Sequence, residues 1–114
     1  MSNVTTHILD TARGQPAAGV GVSLAMLSHG DKWARVAAAS TDAEGRVRAF
    51  VPPGKPLEVG TYRLRFEVSA YHASQGTPGF FPYVDVVFSI REAGGHFHVP
   101  LLLSPFSYST YRGS

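Results

Sequence analysis

Apolar and polar positions alternate strictly over residues 61–69. Tyr62, Leu64, Phe66 and Val68 share one side; Arg63, Arg65 and Glu67 share the other. A period of two marks a strand with one buried and one solvated face. The same pattern places Val20, Val22, Leu24 and Met26 on one face of a strand over 20–27. Residues 4–10 form a first strand, in which His7 shares a face with Thr5 and Leu9, opposite Thr6 and Ile8. Further strands are expected over 32–40, where an Ala-rich run blurs the period, and over 46–51, 83–90, 96–103 and 106–111. Residues 70–76 suit one or two helical turns before the breakers Thr77-Pro78-Gly79, and Pro52-Pro53-Gly54-Lys55-Pro56 reads as a rigid loop. About eight short strands at regular spacing, with almost no helical periodicity, predict an all-β sandwich or barrel. Pro100 cannot donate to a ladder, so it implies an edge, a bulge or a bend beside His96 and His98.

Composition narrows the picture. A chain of 114 residues, 44% hydrophobic and 16% charged, has the length of one domain (1–114) and is too apolar for disorder. Its 10 Lys and Arg against 8 Asp and Glu are scattered, with no dense basic stripe for nucleic acid. There is no cysteine, which excludes disulfides and thiolate metal sites. No apolar run approaches the roughly 20 residues that span a bilayer, and residues 1–7 lack a basic segment leading into an apolar one. The expectation is a cytoplasmic protein that engages neither membrane nor nucleic acid.

His96 and His98 lie two apart, so their imidazoles emerge on one face of the expected strand. Such a pair can share a proton, bind a metal or line a polar surface. Zinc needs three or four ligands; His7 or His72 offers a third, but at no diagnostic spacing. Arg46, at the exit of the turn after Gly45, reads alone as a solvated charge, like its face partner Arg48. The sequence closes on Tyr111-Arg112-Gly113-Ser114, a phenol, a guanidinium and a carboxylate directly after an apolar strand. Imidazoles, a guanidinium, a phenol and a carboxylate together suit hydrolysis of a planar, anionic, heteroatom-rich substrate. No G-x-S-x-G elbow and no phosphate-binding Gly-rich motif appears, so neither a covalent serine nor nucleotide binding has support.

Three segments resemble the 5-hydroxyisourate hydrolases, the transthyretin-related enzymes of urate breakdown. They are Thr6-His7-Ile8-Leu9-Asp10 with Gly14-Gln15-Pro16-Ala17, then Thr41-Asp42-Ala43-Glu44-Gly45-Arg46, and finally residues 96–114. The Leu-Leu-Ser-Pro element beginning at Leu102 is shared with transthyretin, a hormone carrier, and speaks for the fold. His7, Arg46, His98 and the Tyr-Arg-Gly-Ser ending speak for the enzyme; Phe97 stands where many members have Tyr. The resemblance implies a transthyretin-like sandwich of two four-stranded sheets with one short helix, assembled as a homotetramer with active sites at a central channel. It implies a catalytic set of His7, Arg46, His98 and Ser114, with Tyr111 joining His7 and Arg46 in holding substrate. Neither metal nor organic cofactor is implied. The expected reaction is histidine-assisted attack of water on a ring amide, His98 being assigned the base, Arg46 the developing charge and Ser114 an orienting role. The alternative is a transthyretin-like small-ligand carrier without chemistry.

Overall fold

A computed structural model describes residues 3–52, 54, 55 and 57–114; Pro53 and Pro56 of the expected rigid loop lie outside the described residues. In chain order the strands are β1 (Asn3–Asp10), β2 (Gln15–Pro16), β3 (Gly21–Leu27), β4 (Trp33–Ser40), β5 (Arg46–Val47) and β6 (Gly60–Phe66). Helix α1 (Val68–Ser74) follows, then β7 (Val84–Ile90), β8 (His96–His98), β9 (Leu101–Leu103) and β10 (Tyr108–Thr110). One sheet is antiparallel, in the order β4-β3-β6-β7. The other gathers six short segments around β1. On one side β1 pairs parallel with β8 and β9, which carries β10; on the other it pairs antiparallel with β5 and β2. These segments occupy four lanes, so the expected pair of four-stranded sheets is present, with two of the lanes interrupted.

The departures from the expected boundaries are local. Pro100 divides the strand expected over 96–103 into β8 and β9, as its missing donor requires. The carbonyls at this break are not wasted: Thr6 Oγ1 donates to Val99 O at 2.6 Å and Thr110 Oγ1 to Pro100 O at 2.7 Å. In the 61–69 stretch the ladder ends at Phe66, and Val68 opens α1 two residues before the expected helix start. Val68 is nonetheless fully buried, so alternation located its face but not its backbone. The strand expected over 46–51 pairs only at Arg46 and Val47. On β4 the register shifts opposite Leu24 and Ala25, which is why the Ala run showed no clean period.

The apolar face of each sheet turns inward. Val4 and Ile8 of β1, Leu24, Leu64, Phe66, Val84, Leu101 and Leu103 are all fully buried between the sheets. Each such side chain contributes on the order of 1.5–3 kcal/mol relative to exposure. Helix α1 is tied to the end of β1 by Tyr71, whose hydroxyl donates to Asp10 Oδ2 at 2.7 Å. Burial and the adjacent Asp10 carboxylate push the Tyr71 phenol up to about 12. Among the described residues no helix is long and apolar enough to cross a membrane.

Candidate active site

Strand β1 is the spine of the site. Its even positions Val4, Thr6, Ile8 and Asp10 are buried, which turns Thr5 and His7 to the opposite face. Directly paired residues put their side chains on the same side of a sheet. His7 is paired with Arg46 of β5, Thr5 with His98 of β8, and Asn3 with His96. Residues distant in sequence are therefore placed on one face, Arg46 on one flank of β1 and the two imidazoles on the other.

The turn before Arg46 is built for its position. Asp42 Oδ1 accepts from the N–H of Glu44 at 2.9 Å and of Arg46 at 3.0 Å. The Arg46 N–H, followed by burial and the N–H of Glu44, dominates a balance that holds the Asp42 carboxyl below its usual range. Gly45 has φ +75°, and a Cβ there would lie 2.6 Å from the Ile8 carbonyl oxygen, so both conformation and space demand glycine. Arg48 folds back in ion pairs with Glu44 and Asp42. Among the described residues no carboxylate pairs with Arg46. The two arginines, indistinguishable in sequence, thus have different fates.

The chain returns to this face at its last residues. The Gly113 N–H donates to His98 O at 2.8 Å in an antiparallel bridge. A Cβ on Gly113 would meet His98 Cδ2 at 2.5 Å, so glycine lets the tail lie flat against the imidazole. Arg112 stacks on Phe97 at 5.3 Å, on the side of β8 away from His98. The Phe at position 97 therefore lies off the imidazole face.

A cavity of about 240 Å³ opens there, lined chiefly by Thr5, Arg46, Arg48, His96, His98 and Ser114. His7 flanks it as the partner of Arg46 without lining it. Tyr111 lies elsewhere: 58% exposed, it lines a separate groove with Phe88, Phe97 and Val99. His72, weighed as a metal ligand, is buried on α1 with its ring against Gly79. Among the described residues no three His, Asp or Glu side chains gather as a metal set. In sequence Thr5 is only a neighbour of His7 on its face; its pairing with His98 comes from the fold.

Electrostatics distinguish His98. Burial comes first, then the positive charge of Arg46 and the neighbouring His96 and His7, and together they push its imidazole below the ordinary histidine value. His98 is thus held neutral near pH 7, with a lone pair free to take a proton. A neutral imidazole, the Arg46 guanidinium and the oxygens of Ser114 around a small polar cavity can activate water and stabilise an oxyanion.

The model of the HIUase/Transthyretin family matches residues 4–113. The chain belongs to that family. It is similar to the 5-hydroxyisourate hydrolase of Caulobacter vibrioides, with 47% identity over all of both chains. It resembles the structure of Klebsiella pneumoniae 5-hydroxyisourate hydrolase at TM-score 0.84 and 40% identity, covering 98% of this chain and 99% of that one. Sea bream transthyretin, crystallised with thyroxine, matches at TM-score 0.89 but 32% identity, over 97% of this chain and 94% of that one. Shape alone therefore does not separate enzyme from carrier within this family; the residues at the site must.

Proposed function

We infer that this protein hydrolyses 5-hydroxyisourate to 2-oxo-4-hydroxy-4-carboxy-5-ureidoimidazoline. The observation that carries the reading is the meeting of His98, Arg46 and Ser114 at one cavity, in a chain with hydrolase relatives of 47% identity. Water attacks the C6 carbonyl while His98 takes its proton. Arg46 faces the negative charge that grows on the carbonyl oxygen, where a fixed donor is worth roughly 3 kcal/mol. The N1–C6 bond then breaks as His98 returns the proton to the departing nitrogen. His7 steadies Arg46 and the substrate, and Ser114 orients the water. Tyr111, in its own groove, joins this site only if a second subunit brings it there, which fits assembly as a homotetramer; light scattering in solution tests that state. Residence in the cytoplasm belongs to the same proposal.

The decisive assay follows the ultraviolet absorbance of hydroxyisourate freshly made by urate oxidase, against its spontaneous decay. Acceleration by the purified protein is expected, and it should survive exhaustive chelation. A carrier reading has one observation in its favour, the close match to thyroxine-bound transthyretin. Thyroxine binding without any acceleration would establish it instead.

Gly113→Ala gives a finer check. The new methyl group has nowhere to go but against the His98 ring, so either ring or tail must shift. A displacement of that order at a reacting group costs about 10²-fold in rate. Activity should fall by that order with an unchanged melting temperature, since the tail is largely exposed. Full activity in this variant would dismiss the tail as a positioning element.

A further inference from the structure

The Thr5 hydroxyl is a shared partner. Its Oγ1 lies 2.8 Å from His98 Nδ1 and 3.2 Å from His96 Nε2. Thr5 is buried, on the central strand, and paired in register with His98. We propose that Thr5 and His96 are positioning residues that lock His98 in the tautomer carrying its proton on Nδ1, leaving Nε2 as the base. The proposal rests on the assignment of His98 as the base in the reaction above.

Proton counting reduces the network to two states. A hydroxyl has one proton to donate, and each neutral imidazole has one donor and one acceptor nitrogen. When both contacts are hydrogen bonds, Thr5 donates to one ring and accepts from the other, because accepting from both would leave its own proton without an acceptor among the described residues. Either His98 Nδ1–H donates to Thr5 and Thr5 donates to His96 Nε2, or the chain runs in reverse. The assignment of His98 as the base breaks the tie. Nδ1 is the nitrogen held at Thr5, so Nε2 is the one that can meet water, and a base needs it bare. Nδ1–H then donates to Thr5, which turns its own proton to His96 Nε2.

The surroundings agree with a neutral His98 in this state. Arg46 faces it from β5, His7 from β1, His96 from its own strand and Ser114 from the tail, while Arg48 lines the same cavity. A lone pair on Nε2 is what water activation requires. The reverse chain would place N–H there and abolish the base without removing any residue. His96 therefore works through Thr5: as the acceptor of its proton, it prevents the hydroxyl from donating to His98.

Nitrogen-15 NMR of the histidine rings tests this without substrate, and so independently of whether the protein hydrolyses hydroxyisourate. Above the His98 titration, wild-type protein should show a protonated Nδ1 and a bare Nε2 at His98. Thr5→Val should mix the two tautomers and lower kcat roughly 10–100-fold with KM little changed, by analogy with the range for partners that fix the tautomer of a metal-ligating imidazole. Thr5→Ser should restore both. His96→Ala should shift His98 toward the Nε2–H form even if Thr5→Val fails to fold. A wild-type His98 already protonated on Nε2 overturns the proposal whatever the activity. So does Thr5→Val or His96→Ala with unaltered tautomers, or with altered tautomers and full kcat. Wild-type protein that fails to accelerate hydroxyisourate decay defeats the functional reading alone, because the tautomer signal stands apart from it.

Discussion

His98→Ala is expected to lower kcat/KM for 5-hydroxyisourate by about 10²–10⁴-fold, the usual worth of one proton-transfer residue. The loss should fall on kcat, because the imidazole acts on the attacking water and its bond changes are confined to the transition state. The fold should tolerate the change. His98 is only partly buried, and its pairing with Thr5 and its bridge to Gly113 are made by the backbone. Thr5 would keep His96 as a hydrogen-bond partner. Steady-state kinetics beside a thermal melt separate the two effects. A folded variant with wild-type kcat would remove His98 from the mechanism.

Arg46→Ala should cost about 10²–10³-fold in kcat/KM, the range for removing a fixed donor from a developing oxyanion. It makes a second, more diagnostic change. In the intact protein the acidic limb of the rate profile should lie below the ordinary histidine value of about 6.5, since His98 must be unprotonated and its pKa is depressed. The Arg46 charge is the second cause of that depression, after burial. Removing a positive neighbour lets His98 hold its proton to higher pH, so the limb must move upward. The movement is partial, because burial remains. Arg46→Lys should preserve much of the limb position but little of the rate, since an ammonium keeps the charge and loses the planar fork. A limb that stays fixed in Arg46→Ala would mean that another group governs the profile.

The same linkage reaches stability with a definite sign. His98 in the folded protein binds its proton less readily than in the unfolded chain. Below the unfolded value the unfolded state takes up the proton first, and this residue then contributes against folding as the pH falls. The loss grows across the window between the two values, is complete below it and absent above it.

Much of this molecule was legible in its residue order. Alternation marked the buried faces of β1, β3 and β6, because one side of each faces the core and the pleat has a period of two. Pro100 announced its break, and Gly45 before Arg46 announced a turn. The candidate set of His7, Arg46, His98 and Ser114 could be named from the resemblance of three segments. Where side chains were small, as in the Ala run of β4, the pattern carried no phase, and the bulge opposite Leu24 and Ala25 stayed hidden.

Pairing was the part that only the folded chain decided. Ladder hydrogen bonds join backbone groups that every residue except proline possesses, so local alternation fixes a face and leaves the neighbour open. Nothing local predicts that β1 lies between β5 and β8, yet that placement is what sets Arg46 and His98 about one cavity. It also makes Thr5 the contact of both imidazoles, folds Arg48 onto acids while Arg46 pairs with none among the described residues, and sends Tyr111 to a different groove. Residue types carried the chemistry; long-range strand order decided which of them meet.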